Sequence, residues 1–169
     1  MGTTKSETTP PSEQAMWMPA LTDHHRKLSA LAGSWAGEET LYPSPWMPEG
    51  GTAEASIEAK LDVDGFFLLT DYVETRGGRP SYRGHGVFGW DTEQKKYSMF
   101  WFDSVSPGPR APVWGTWDGD TLAFESASPM GHQRYVYVFQ GPDRYTFRIE
   151  MSRDGTAWQP FVEGRYTRR

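Results

Sequence analysis

From Ser34 to Arg168 the sequence breaks into about ten short apolar-rich blocks, and the segments between them are too short to carry a crossover helix. The clearest block alternates strictly. Ala53, Ala55, Ile57, Ala59 and Leu61 are interleaved with Thr52, Glu54, Ser56, Glu58 and Lys60, the period-two pattern of a strand with one wet face. Asp62 to Gly65 reads as a turn, and Phe66–Glu74 resumes as a strand until Arg76-Gly77-Gly78-Arg79-Pro80 breaks it. Further blocks follow at Tyr82–Trp90, Tyr97–Asp103, Val113–Trp117, Thr121–Glu125, Arg134–Gln140, Tyr145–Ser152 and Trp158–Arg168. Asp118-Gly119-Asp120, Gly141-Pro142-Asp143 and Asp154-Gly155-Thr156 separate the later ones, all with residues that favour turns. Strands joined so closely must pair antiparallel with their neighbours. A flat sheet of that many strands would leave aggregation-prone edges, and closure removes them. The expected fold is all-β: an antiparallel meander barrel of about ten strands, with a β-sandwich as the second architecture.

One short helix precedes the strands. Thr22 or Asp23 can cap it, Leu21, His25, Leu28 and Ala32 fall on one face, and Gly33 stands where helices often end, so the spacing predicts about three turns over residues 22–32. Residues 1–20 lack periodicity and read as a flexible N-terminal arm, on which Trp17 and Met18 are candidates to dock; residues 21–169 form a single domain. No apolar run in the first residues resembles a secretion signal, and no stretch is long enough to span a membrane, so the expected location is the cytoplasm. The chain has no cysteine, which excludes disulfide scaffolds, thiolate metal sites and cysteine nucleophiles together. A net charge of −5 gives no general attraction to nucleic acid or anionic lipid.

Several motifs suggest chemistry and lose it on inspection. Gly84-His85-Gly86-Val87-Phe88-Gly89 spells G-x-G-x-x-G, yet a dinucleotide site needs a helix to begin there, and Trp90 to Lys96 reads as a strand end and a hairpin turn. The glycines suit close packing in a strand instead. Ser34 lacks the flanking glycines of a nucleophile elbow. His24 and His25 are adjacent on a helix and point about 100° apart, so one metal ion is not expected to use both. Asp62-Val63-Asp64-Gly65 stops after two carboxylates, short of a calcium loop. No metal site is expected.

Gly33-Ser34-Trp35-Ala36-Gly37 at the start of the first strand resembles the G-x-W opening of the calycin barrels, which include lipocalins and fatty-acid-binding proteins; continued through Tyr42-Pro43 it is also similar to the opening of nitrobindins. Gly84 to Asp91, Trp101-Phe102-Asp103-Ser104 and the ending Arg165-Tyr166-Thr167-Arg168 resemble an uncharacterised bacterial family of calycin-like proteins, covering residues 24–168. The resemblance implies a calycin- or lipocalin-like barrel and assigns no activity. Nitrobindins hold haem iron through a histidine late in the chain, whereas this sequence has no histidine after His132, so no cofactor is expected. Physically, Trp35 is placed to plug one barrel end with Arg165 or Arg168 over its ring.

The function expected is binding of a small, largely hydrophobic molecule inside the barrel; the alternative is a cofactor-free cyclase or isomerase acting on a hydrophobic metabolite there, and a third reading is a filled, structural barrel. Aromatic residues make up 15% of the chain, enough to line a cavity as well as a core. The expected ligand-binding residues are Phe67, Leu69, Tyr72, His85, Trp101, Asp103, Trp114, Tyr137 and Arg148, with Tyr135, Phe147 and Met151 as further candidates to line the cavity. His85 and Asp103 lead, because both fall in the family-like motifs and a histidine beside a carboxylate can exchange protons near neutral pH. Strands such as Phe66–Leu69 and Tyr135–Phe139 are apolar on both faces, so inward and outward positions stay open there, and part of the outer wall is expected to be covered by the helix or by a second subunit, making a homodimer possible.

Overall fold

Each strand hydrogen-bonds to the strand before it and the strand after it, and the last returns to the first. The computed structural model describes residues 19–169 and shows β1 (Gly33–Leu41), β2 (Gly51–Asp62), β3 (Phe67–Arg76), β4 (Arg79–Asp91), β5 (Lys96–Asp103), β6 (Val113–Asp118), β7 (Thr121–Ser128), β8 (Gly131–Phe139), β9 (Arg144–Ser152) and β10 (Gln159–Arg168). All neighbours are antiparallel, and pairing of β1 with β10 closes an all-β barrel of ten strands. Closure leaves no free edge along the ring, which is what the short connections require. The β3–β4 connection is shorter than the sequence suggests: Gly77 and Gly78 alone make the turn, at φ +55° and +75°, where a two-residue hairpin needs positive φ twice. Most of the N-terminal arm, with Trp17 and Met18, lies outside the described residues.

The helix is shorter than its pattern predicts. Only α1 (Asp23–Lys27) is α-helical; Leu28–Leu31 tightens into a 3-10 turn. In that geometry residues three apart superpose, so Leu28 and Leu31 point together into the barrel end and both are buried. This segment is the floor of the barrel. Trp35 stands on it, 1% exposed, and its indole N–H donates to the Leu31 carbonyl at 2.9 Å. The Arg168 guanidinium lies 4.2 Å above the indole ring, and Tyr145 meets that ring edge-on at 4.8 Å. Around this group Leu68, Phe88, Tyr97, Leu122, Phe124 and Tyr145 are almost fully buried and form the main core.

The same glycine-rich run that spells a dinucleotide motif is a packing device. Gly84 and Gly86 sit on the inner wall and seat the Trp101 ring, which occupies the space a side chain would take. Gly89 faces outward and does the same for Phe67.

Candidate functional site

The register sorts every strand residue onto an inner or an outer wall. Trp35 faces inward, so Gly37, Glu39 and Leu41 do as well, and they pair with Ala55, Ala53 and Gly51 on β2. Tyr72 pairs with Gly84 and Gly84 with Asp103, so Tyr72, Trp101 and Asp103 share the inner wall. Tyr137, opposite Leu122 and Phe147, joins them. The residues expected from the sequence to meet a ligand in the lumen therefore divide. Phe67, Leu69, His85, Trp114 and Arg148 take the opposite parity and lie on the outer wall, the physical reason being that each neighbours an inward residue along its strand. Phe67 is 38% exposed there. Trp114 lies between Ser98 and Glu125, and Arg148 between Val136 and Glu163.

His85 has a carboxylate partner, though not Asp103. Its Nδ1 lies 2.8 Å from Asp71 on the neighbouring strand, both side chains being largely solvent-exposed. Asp103 instead caps the loop after β5, accepting from the backbone N–H groups of Val105 and Ser106 at 2.9 and 2.7 Å. Burial opposes its ionisation, but those bonds and the nearby Tyr82 hydroxyl hold its carboxyl below the ordinary value.

The lumen is graded from floor to mouth. Above the apolar floor lies a polar layer built on Glu39, a 3% exposed carboxylate that accepts hydrogen bonds from the hydroxyls of Tyr72 (2.7 Å) and Tyr166. Burial pushes its carboxyl up, the two phenols pull it back, and the proximity of Glu74 raises it again. Glu74 is also buried and is held by the Arg76 guanidinium at 2.7 Å and the Ser81 hydroxyl at 2.6 Å. Above this layer Tyr72 meets Tyr82 and Trp101 nearly at right angles, with ring centroids 5.7 and 6.0 Å apart, and the Trp101 indole N–H donates to the Tyr82 hydroxyl at 2.8 Å. Tyr135 faces them from β8, its hydroxyl donating to Gln133, and burial lifts its phenol to about 12, Asp103 adding to the shift. These inner-wall rings differ from those of the floor: Tyr82, Trp101, Tyr135 and Phe147 are only half-buried.

A seam in the wall lies beside them. β5 and β6 share only Tyr97–Gly115, Ser98–Trp114 and Met99–Val113. The stretch Phe100–Asp103 runs on without a β6 partner, because residues 104–112, with three prolines, leave the sheet. On the outer wall a groove of about 800 Å³ crosses β8, β9, β10, β1 and β2. Threonine and charged side chains such as Thr40, Glu54, Arg148 and Arg165 line it, and it lies open to solvent.

The four histidines sit elsewhere. His24 stacks on Trp90 at 3.9 Å, His25 is buried and bonds Thr22, His85 is on the outer wall, and His132 packs beside Gly155. Among the described residues no group of three His, Asp or Glu gathers to hold a metal ion, and no helix is long and apolar enough to cross a membrane. Sequence reading missed Glu39, Glu74, Tyr82 and Tyr166. Glu39 carried a usable signal: it stands four residues after Trp35 on one strand, hence on the same wall.

A family model described as a protein of unknown function (DUF1579) matches residues 20–168, and the chain belongs to that family. No curated protein matches it. Among solved structures it is similar to Rv2717c from M. tuberculosis, at 16% identity and a TM-score of 0.64, covering 89% of this chain and 99% of that one. It is also similar to the S-type phycobiliprotein lyase CPES from Guillardia theta, at 12% identity and a TM-score of 0.55, covering 95% and 98%. At these identities the likeness is one of fold.

Proposed function

We propose that this DUF1579 member binds a small, largely apolar molecule in the upper lumen of its barrel, between the Glu39 layer and the open mouth. The observation that carries the reading is the contrast along one inner wall. Rings at the floor are sealed, whereas Tyr82, Trp101 and Tyr135 on the same wall are half-exposed, and the Trp101 indole N–H donates to the Tyr82 hydroxyl, which lies near Asp103. A ligand site of this kind needs apolar walls and a few placed polar groups, and both are present. Tyr72, Trp101, Asp103 and Tyr137 are the residues expected from the sequence that belong to it, joined by Glu39 and Tyr82. The side of Phe100–Asp103 left without a β6 partner offers an entry beside Trp101. Similarity of fold to a protein named as a phycobiliprotein lyase is consistent with a barrel that takes a small molecule.

The test compares the two walls. Protein is titrated with a neutral apolar fluorophore, N-phenyl-1-naphthylamine, and the parent is compared with Trp101→Phe on the inner wall and with His85→Ala and Trp114→Phe on the outer. Binding that weakens at least fivefold in Trp101→Phe and is unchanged in the outer-wall variants supports the reading. Equal losses in all three, or no binding by the parent, refutes it.

A second reading, a cofactor-free isomerase or cyclase in the same lumen, is favoured by the buried Glu39 and its two phenol donors. A carboxyl raised by burial holds its proton more readily than an exposed one. In that case Glu39→Gln lowers turnover more than affinity.

A further inference from the structure

The lumen's charge and its rings together restrict what kind of molecule it can hold. Among the described residues, the upper inner wall carries the carboxyl groups of Glu39, Glu74 and Asp103, while Arg76, which Glu74 engages, and Arg79, its partner across the two-residue turn, stand at the exposed rim. Arg168, a further inner-wall cation, is committed to Trp35 and to the Ala32 and Pro142 carbonyls at the floor. A ligand carboxylate lying beside Asp103 would thus meet like charge, a repulsive arrangement in a site of low dielectric. The Tyr72 ring stands there nearly perpendicular to both Tyr82 and Trp101, at 72° and 65°. Half-exposed rings grouped beside a carboxylate favour a cation, because ring faces and carboxylate oxygens both attract positive charge.

We infer that the ligand is an amphipathic organic cation, a protonated or quaternary amine on an apolar body, with its nitrogen at the Tyr72–Tyr82–Trp101 corner beside Asp103. This rests on the reading of the upper lumen as a binding site. It goes beyond that reading by fixing the sign of the polar group. A body of apolar carbon lies along Phe147 and Tyr135, while the nitrogen exchanges its hydration for ring faces and carboxylate oxygens.

The experiment uses three ligands with one tail: octyltrimethylammonium, octanol and octanoate, each below its micelle concentration, titrated into the full chain at pH 7 by calorimetry. The expected order is cation tightest, at least tenfold over octanol, with octanoate weakest. In Asp103→Asn, which keeps an oxygen to cap the loop, and in Tyr82→Leu, the preference for the cation over octanol should fall at least threefold, whereas in His85→Ala on the outer wall it should stay within twofold. Octanol binding as well as the cation, or octanoate binding best, overturns the inference and leaves the lumen reading standing. If none of the three binds, both fall.

Discussion

Trp35 joins the floor segment to the barrel, and truncating it to alanine tests how the closed end is held. A ring of this size buries roughly 150–250 Å², and at about 25 cal/mol per Å² its transfer from water is worth up to about 4–6 kcal/mol. That is an upper bound, because an unfolded chain already buries part of the ring. The guanidinium of Arg168, 4.2 Å above the indole, adds about 0.5–2 kcal/mol, and the bond to the Leu31 carbonyl adds about 0.5–1.5 kcal/mol. Relaxation of Tyr145 into the space recovers some of this, so the expected loss for Trp35→Ala is about 3–5 kcal/mol. For a chain of this length that corresponds to a melting temperature lower by roughly 6–20 °C. Trp35→Phe keeps most of the ring but loses the indole N–H, and should cost about 1–2 kcal/mol. Urea unfolding followed by circular dichroism measures both. Trp35→Ala within 1 kcal/mol of the parent, or Trp35→Phe as damaging as Trp35→Ala, would show that the floor is held by something other than this ring.

Three further outcomes follow from the walls of the barrel. Gly84→Ala should destabilise by about 1–3 kcal/mol in urea, since its new methyl enters the Trp101 ring; a neutral result means the ring is not seated there. Glu39 has a raised carboxyl, so its contribution to stability is fully present below the ordinary carboxylate value and is lost as pH rises through the folded one. The stability of Glu39→Gln relative to the parent should therefore rise between pH 4 and pH 8, and a fall over that range would mean that the Tyr72 and Tyr166 hydroxyls outweigh burial. His85→Ala removes an exposed pair with Asp71, so unfolding should change by no more than about 1 kcal/mol; a larger loss would place the pair in a structural role.

Much of the architecture was legible in the sequence because it depends on local signals. The turn sequences after Asp118, Gly141 and Asp154 mark real strand ends, and connections that short leave antiparallel closure as the natural outcome. The helix was overextended for a physical reason: its pattern over residues 22–32 fits an α-helix, but docking Leu28 and Leu31 onto the barrel end favours a tighter turn, and tertiary packing overrode local preference. The lumen was harder to read. On β1 a single buried tryptophan sets the parity, and Glu39 follows from it. On β3, β4 and β5 both walls carry large apolar groups, Phe67 and Leu69 outside against Leu68 and Tyr72 inside, so hydrophobicity alone cannot assign either wall.

What resolves such two-faced strands is register propagated from an unambiguous neighbour, not composition. Trp35 pairs with Ile57, Ile57 with Tyr72, Tyr72 with Gly84 and Gly84 with Asp103, so one buried ring at the floor determines the direction of a carboxylate four strands away. The same chain of pairings carries His85 outward, because it sits one residue from Gly84, and a slip of one position would exchange the two walls entirely. The glycines mark this register in the sequence: the inner-wall glycines at 37, 84, 86, 115 and 164 each lie under an aromatic ring of the same wall. A strand residue that must be glycine because a ring covers it faces where the ring faces. On that reasoning Gly84 and Gly86 point the flanking His85 away from the lumen, and Trp101 and Asp103 into it.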